Sequence, residues 1–325
     1  MMRFPSHSPS TYRLVCLFIA LLALPLGAQD LTEPSKEGEG GKEGYGLPTV
    51  ALDMLVFDSR EHFAATMSEL LTMQLLEEET GGREGDPREA PVFQDFATSI
   101  GFESLLMSIE ADEAALDALD TIGAPLFVDD FDPDDHHIAD PYFRGMVNPQ
   151  SEMRIGDTIY HFEPNGHYEI DAKDLDALDR VRRGETKDDD GTTFVEASPR
   201  SDCCKGSYSK KEFFTYADGK RRLKTKQWVK SYIGLYGSIG AKTVNQRRKS
   251  AFGIRWWGKE RADVIGVRGS VMITDKFCAF EDPQDFQKVR TNDAKVTKLA
   301  DFTINHGSHK LHAKDFFDTT HWAED

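Results

Sequence analysis

Apolar and polar positions follow a mixed pattern up to about residue 184 and a period of two beyond it. The short apolar run MLVF (54–57) predicts a strand. Phe63, Met67, Leu70, Leu71 and Gln74 then fall on one face, which predicts a helix over 60–78. Asp58 and Glu61 stand at capping-box spacing at its start. EEETGGREGDPREAP (77–91) carries the Gly and Pro of a loop. Phe93, Phe96, Ile100, Leu105 and Ile109 lie near helical spacing, with a break expected at Gly101, and EADEAALDALD (110–120) predicts a third, acidic helix. EMRIGDTIYHF (152–162) alternates, EPNG (163–166) supplies turn residues and HYEI (167–170) returns, which predicts a hairpin. A last helix is expected from a cap at Asp171, through Leu175, Leu178 and Val181, to Gly184.

From residue 194 onward the pattern is that of strands. In WVKSYIGLY, Trp228, Lys230, Tyr232, Gly234 and Tyr236 share one parity, and ADGK (217–220) reads as a turn. Helices are hard to place between 206 and 280. The expected fold class is therefore α+β: a helical α+β unit with a hairpin over 47–184, then an antiparallel β-rich domain, open to being a sandwich, over 194–325. The polar stretch ETKDDDGTT (185–193) is the candidate boundary.

The first residues have their own pattern. Arg3 and Arg13 precede a run apolar from Leu14 to Leu26, closed by Gly27 and Ala28, which reads as a cleavable export signal over 1–28. The run is short of the roughly 20 residues a membrane helix needs, and no second run of that length follows, so no transmembrane span is expected after signal removal. Residues 29–46, rich in Gly, Glu and Lys, read as a flexible linker.

Charge changes this picture. The chain has a formal net charge of −17, yet residues 205–261 hold 16 Lys/Arg against 3 Asp/Glu, which leaves 23 against 53 elsewhere. Two readings follow. The acidic half and the basic sheet attract each other within one molecule, or the basic face binds an acidic partner such as an anionic glycan. Nucleic acid is not expected of an exported, net-acidic chain.

Candidate chemistry is sparse. In VDDFDPDDHHIADPYF (128–143), Asp130, Asp132 and Asp134 fit the first positions of a calcium loop. Asp135, however, stands where glycine is required and Pro141 where the closing glutamate belongs. The stretch reads as an irregular acidic surface loop, with an unorthodox calcium site left open. NHGSHKLH (305–312) spaces His306, His309 and His312 by three, and imidazoles suit zinc. Neither helix nor strand would converge all three on one ion, so no cofactor is expected and turn histidines are the favoured reading. Cys204 and Cys278 are a candidate disulfide in an exported chain, with Cys203 as the alternative partner. No G-x-S-x-G occurs, though a spatial triad or a carboxylate pair is invisible in sequence.

Aromatic residues beside cations are the best candidate binding surface: Trp256 and Trp257 between Arg255 and Lys259, with Tyr232, which shares a parity with Trp228 and Tyr236. If 254–259 is a strand, adjacent tryptophans point to opposite faces, so one exposed tryptophan is expected.

Leu55-Val56-Phe57 before a helix, GFESLL (101–106), NPQSEMRIGDTIY (148–160) and the closing basic stretches WVKSYIGLYGSIGAKTV and WWGKERADVIGV together resemble a group of uncharacterised exported proteins of Gram-negative bacteria. The resemblance implies export, to the periplasm, outer surface or medium, and this two-part architecture; it carries no activity. The expected function is a non-catalytic binding or interaction module, for a glycan or another surface protein. A metal-dependent or carboxylate-based hydrolase and a purely structural surface protein are the alternatives.

Overall fold

The computed structural model describes residues 45–325 except 82–85, 87, 123–131, 133, 186–190, 198–207, 233–234, 252–253, 275–280, 305–311 and 325. From Tyr45 onward the chain is one compact α+β unit. Its first part is a six-stranded sheet, ordered β1 (Thr49–Ala51), β2 (Met54–Phe57), β3 (Glu152–Ile155), β4 (Thr158–Glu163), β5 (Gly166–Asp171) and β6 (Thr192–Glu196). Only β2 and β3 pair in parallel, because the helices lie between them in the chain: α1 (Arg60–Thr80), α2 (Pro91–Ser99), α3 (Leu105–Ile122) and the single turn α4 (Pro141–Arg144). A fifth helix, α5 (Leu175–Arg182), joins β5 to β6.

Local chemistry sets the element ends. The α1 cap is Ser59, one residue past Asp58; its hydroxyl accepts from the His62 amide at 3.2 Å. Gly81 closes α1 in the left-handed conformation. Gly101, with φ +69°, separates α2 from α3 where the apolar stripe had predicted a break. Asp174, not Asp171, caps α5 by accepting from the Ala177 amide at 2.9 Å. Asp171 instead accepts from the Lys173 amide within the preceding turn.

The second part is a two-sheet sandwich. One sheet runs β7 (Tyr208–Thr215), β8 (Arg221–Tyr232), β9 (Tyr236–Ala251) and β10 (Ile254–Lys259). Strand β9 is long enough to pair with β8 on one side and with both β10 and β13 (Lys295–Ile304) on the other. The other sheet is β12 (Glu281–Asp293), β11 (Ala262–Thr274) and β14 (His312–Glu324).

Three apolar clusters follow from this layering. Ile159, Ile170, Leu178 and Val181 lie between the first sheet and α5. Val229, Ile239, Ile265, Val267 and Val271 fill the sandwich. The largest cluster spans both parts: Phe57, Phe63, Phe93, Leu106, Phe143 and Phe162 pack with Trp228, Tyr232, Tyr236 and Leu299. The Phe143 ring stacks on Tyr236 with centroids 5.0 Å apart and on Tyr232 at 5.1 Å.

Residues 185–193 therefore do not divide two cores. Strand β6, which straddles the expected linker and the start of the expected second domain, hydrogen-bonds to β5 as the edge of the first sheet, and the β8–β9 sheet is a middle layer covered on both faces. Among the described residues no helix is long and apolar enough to cross a membrane.

Candidate functional site

Alternation along β8 places Arg222, Lys224, Lys226, Trp228, Lys230 and Tyr232 on the face turned toward the helices, and all are buried or nearly so. Lys242 of β9 lies directly opposite Lys226, and Gln246 opposite Arg222. Like charges directly opposed on one face destabilise a sheet unless something neutralises them. The neutralising groups come from the acidic half. Asp134 receives Arg144 at 2.6 Å and Lys242 at 2.9 Å; Asp132 receives Lys224 at 2.9 Å and Arg222 at 3.2 Å. Glu89, just ahead of α2, takes Lys242 at 2.8 Å and the Thr297 hydroxyl at 2.8 Å.

The described residues of 128–143 are thus not a surface loop. Asp132 and Asp134 plug the basic sheet, and residues 138–143 are buried. Burial would raise the Asp134 pKa, but Lys242, Lys224 and Arg144 overcome it and hold the carboxylate well below its ordinary value. Among the described residues Lys226 forms no such ion pair. Its ammonium donates to the His136 carbonyl at 2.8 Å, and burial, with Arg144, lowers its pKa to about 7.

Beside this layer a cleft of about 270 Å³ opens between α3 and β10. Trp256 and Trp257 line it from the sheet, Glu110 and Glu113 from one turn of α3, and Arg88, Lys259 and Lys295 complete its polar rim. Ligand pockets run from about 300 Å³ upward, so this one is sized for a single ring. Every cation here has a carboxylate. Lys259 hydrogen-bonds Glu113, Lys295 meets Glu110 at 2.9 Å, and Arg88 binds Asp86 and Asp95 at 2.7 and 2.6 Å. Burial raises Glu113 and lowers Lys259, opposing charge separation in that pair. One polar atom stands apart: the Trp256 indole Nε1, buried with the ring at 1% exposure, has no acceptor among the described protein groups.

A second polar cluster lies on the first sheet. Arg182 of α5 grips Glu152 through two bonds of 2.8 and 2.6 Å, and Asn148 both donates to that carboxylate and accepts from the Glu152 amide. His161 bridges Glu152 at 3.1 Å and Glu163 at 3.3 Å. Burial works against the imidazolium, but the two carboxylates win and raise its pKa to about 9. The asparagine ahead of the hairpin is therefore a structural clamp on a buried glutamate.

The sequence-derived candidates scatter. Both tryptophans are buried, Trp256 at 1% and Trp257 at 8%, so the expected exposed tryptophan is absent. The alternation is real, but both faces of β10 are covered: the Arg222 guanidinium lies 4.0 Å from the Trp257 ring centroid on one face, and Trp256 lies on the other. Lys259 is in the cleft, Arg255 is exposed on the strand, and Tyr232 is in the shared core. His306 and His309 lie outside the described residues, as do Cys203, Cys204 and Cys278. His312 belongs to β14, opposite Thr274. Among the described residues no group of three or more His, Cys, Asp or Glu is placed to hold a metal ion. Missed by motif reading were Glu89, Glu110 and Glu113, and Asp132 and Asp134 were read as calcium-loop positions and not as partners of the basic sheet; the only signal for the pairing was the segregation of charge between the two halves. The chain matches no family model, no curated protein and no solved structure.

Proposed function

We propose that this is an exported, non-catalytic binding protein whose α3–β10 cleft receives one sugar ring or a molecule of similar size and hydroxylation. The observation that carries the reading is Trp256, which lines the cleft and whose buried indole N–H has no acceptor among the described protein groups. Leaving such a donor unmet costs about 1–3 kcal/mol, which a ligand oxygen would recover. Trp257 adds aromatic surface, and the Lys–Glu pairs around it offer both donors and acceptors to hydroxyl groups. The internal pairing of Lys224, Lys242, Lys259 and Arg222 argues against the basic sheet as a face for an anionic polymer. The basic and then apolar order of residues 1–28 supports export.

Calorimetric titration of the purified protein with neutral and acidic mono- and disaccharides tests the reading. Binding by at least one, weakened about tenfold or more in Trp256→Phe, is expected. No heat with any saccharide at millimolar concentration, or an unchanged affinity in the variant, would overturn it. Glu110 and Glu113, one helical turn apart in the same cleft, give the carboxylate-hydrolase alternative a specific footing, although both are engaged by lysines. Turnover of an aryl glycoside, lost in Glu113→Gln, would move the assignment from binding to catalysis.

A further inference from the structure

Strand β7 is an edge. Among the described residues only β8 pairs with it, and residues 209–215 are exposed along their whole length, including Phe213 at 43% and Phe214 at 55%. An open edge is a template for another strand, and proteins commonly blunt it with lysines whose charge repels a copy. Here the lysines are neutralised within the chain: Lys210 meets Glu212 at 2.9 Å and Lys211 meets Asp135 at 2.6 Å. The edge keeps its exposed phenylalanines and has lost its repulsion.

We propose that the β7 edge pairs antiparallel with β7 of a second copy, related by a twofold axis through Lys211, so that the two β8–β9 sheets become continuous. The occupant and the register follow from charge. A twofold perpendicular to a sheet pairs positions that face the same side, so the axis must pass through a residue. An axis at Lys210 opposes two lysines, each free of any new partner, and one at Glu212 opposes two glutamates. An axis at Lys211 sets Lys210 opposite Glu212 of the second copy, and Glu212 opposite its Lys210. Phe213 then faces Ser209 on both sides, and the two Lys211 ammoniums at the centre each keep their Asp135. No other axis within the Lys-Lys-Glu run matches opposite charges twice. Nothing in this depends on the cleft or on what it binds.

The test is a charge exchange read by sedimentation equilibrium of the full mature chain, with circular dichroism to show that each variant folds. The unaltered protein is expected to be dimeric at micromolar concentration. Lys210→Glu alone and Glu212→Lys alone, which place like charges opposite each other twice, should each weaken the dimer about tenfold or more. The double exchange K210E/E212K restores both pairs and should restore the dimer. A monomer at all concentrations overturns the proposal, and so does a dimer indifferent to the single substitutions or one that the double exchange fails to rescue.

Discussion

Lys226→Met tests a buried ammonium in the central layer that, like Lys230, forms no ion pair among the described residues. Its pKa falls from 10.5 to about 7, because burial and the nearby Arg144, Lys224 and Lys242 together outweigh the opposing charge of Asp134. The unfolded chain holds the proton up to its ordinary pKa, so at pH 7 it binds nearly one proton where the folded protein binds about half. At about 1.4 kcal/mol per pKa unit, keeping this lysine in the fold costs about 4 kcal/mol at pH 7 and below about 1 kcal/mol at pH 10. Methionine removes that cost and forgoes one hydrogen bond to the His136 carbonyl, worth about 1 kcal/mol. The variant should be more stable by about 3 kcal/mol at pH 7, and the advantage should vanish by pH 10. Urea denaturation at unit steps from pH 6 to 10 measures it. A variant less stable at pH 7, or a difference flat with pH, would show that Lys226 has a negative partner or reaches water, and the account of the central layer would fail.

Two further substitutions test other parts of the fold. Gly240→Ala places a Cβ 2.4 Å from the Trp228 ring and 2.9 Å from the Lys298 carbonyl; a loss of about 3 kcal/mol and a changed near-ultraviolet dichroism are expected, and a near-native melting temperature would contradict the packing. Glu152→Gln removes the main anion holding His161 charged, so the imidazole titration read by NMR should drop from about 9 toward or below 6.5. A raised histidine pKa gives stability that is full below pH 6.5 and lost as pH rises through 9. The unaltered protein should therefore lose about 3 kcal/mol across that window through this group, and the variant much less. Lys226 acts in the opposite direction over part of the same range, so each effect must be read as a difference from the unaltered protein.

What was legible in sequence was whatever depends on neighbours along the chain. The helix at 60–78 appears as Arg60–Thr80, the break at Gly101 is in place, and the hairpin at 152–170 folds as β3, β4 and β5. The caps shifted by one residue at Ser59 and three at Asp174, because several acceptors compete at each helix start. What failed concerned the middle layer. A strand such as RRLKTKQWVKSY shows one apolar face, and its lysines look solvated; only the arrival of Asp132 and Asp134 from elsewhere buries them. The same covering hid the tryptophans of β10. Charge segregation announced that the halves attract, but no local spacing could say which carboxylate meets which lysine.

Those pairings also impose an order in time. Asp134 stands 108 residues ahead of Lys242, and Glu89 stands 153 ahead of it. At roughly 5–20 residues per second of synthesis, the carboxylates exist for some seconds before the cations that neutralise them. The first 184 residues thus emerge with half a core and a set of acids adapted to a surface not yet made. The nascent N-terminal part should remain sensitive to protease until β9 is complete, and a chain cut short before Lys242 should not acquire the protection of the whole.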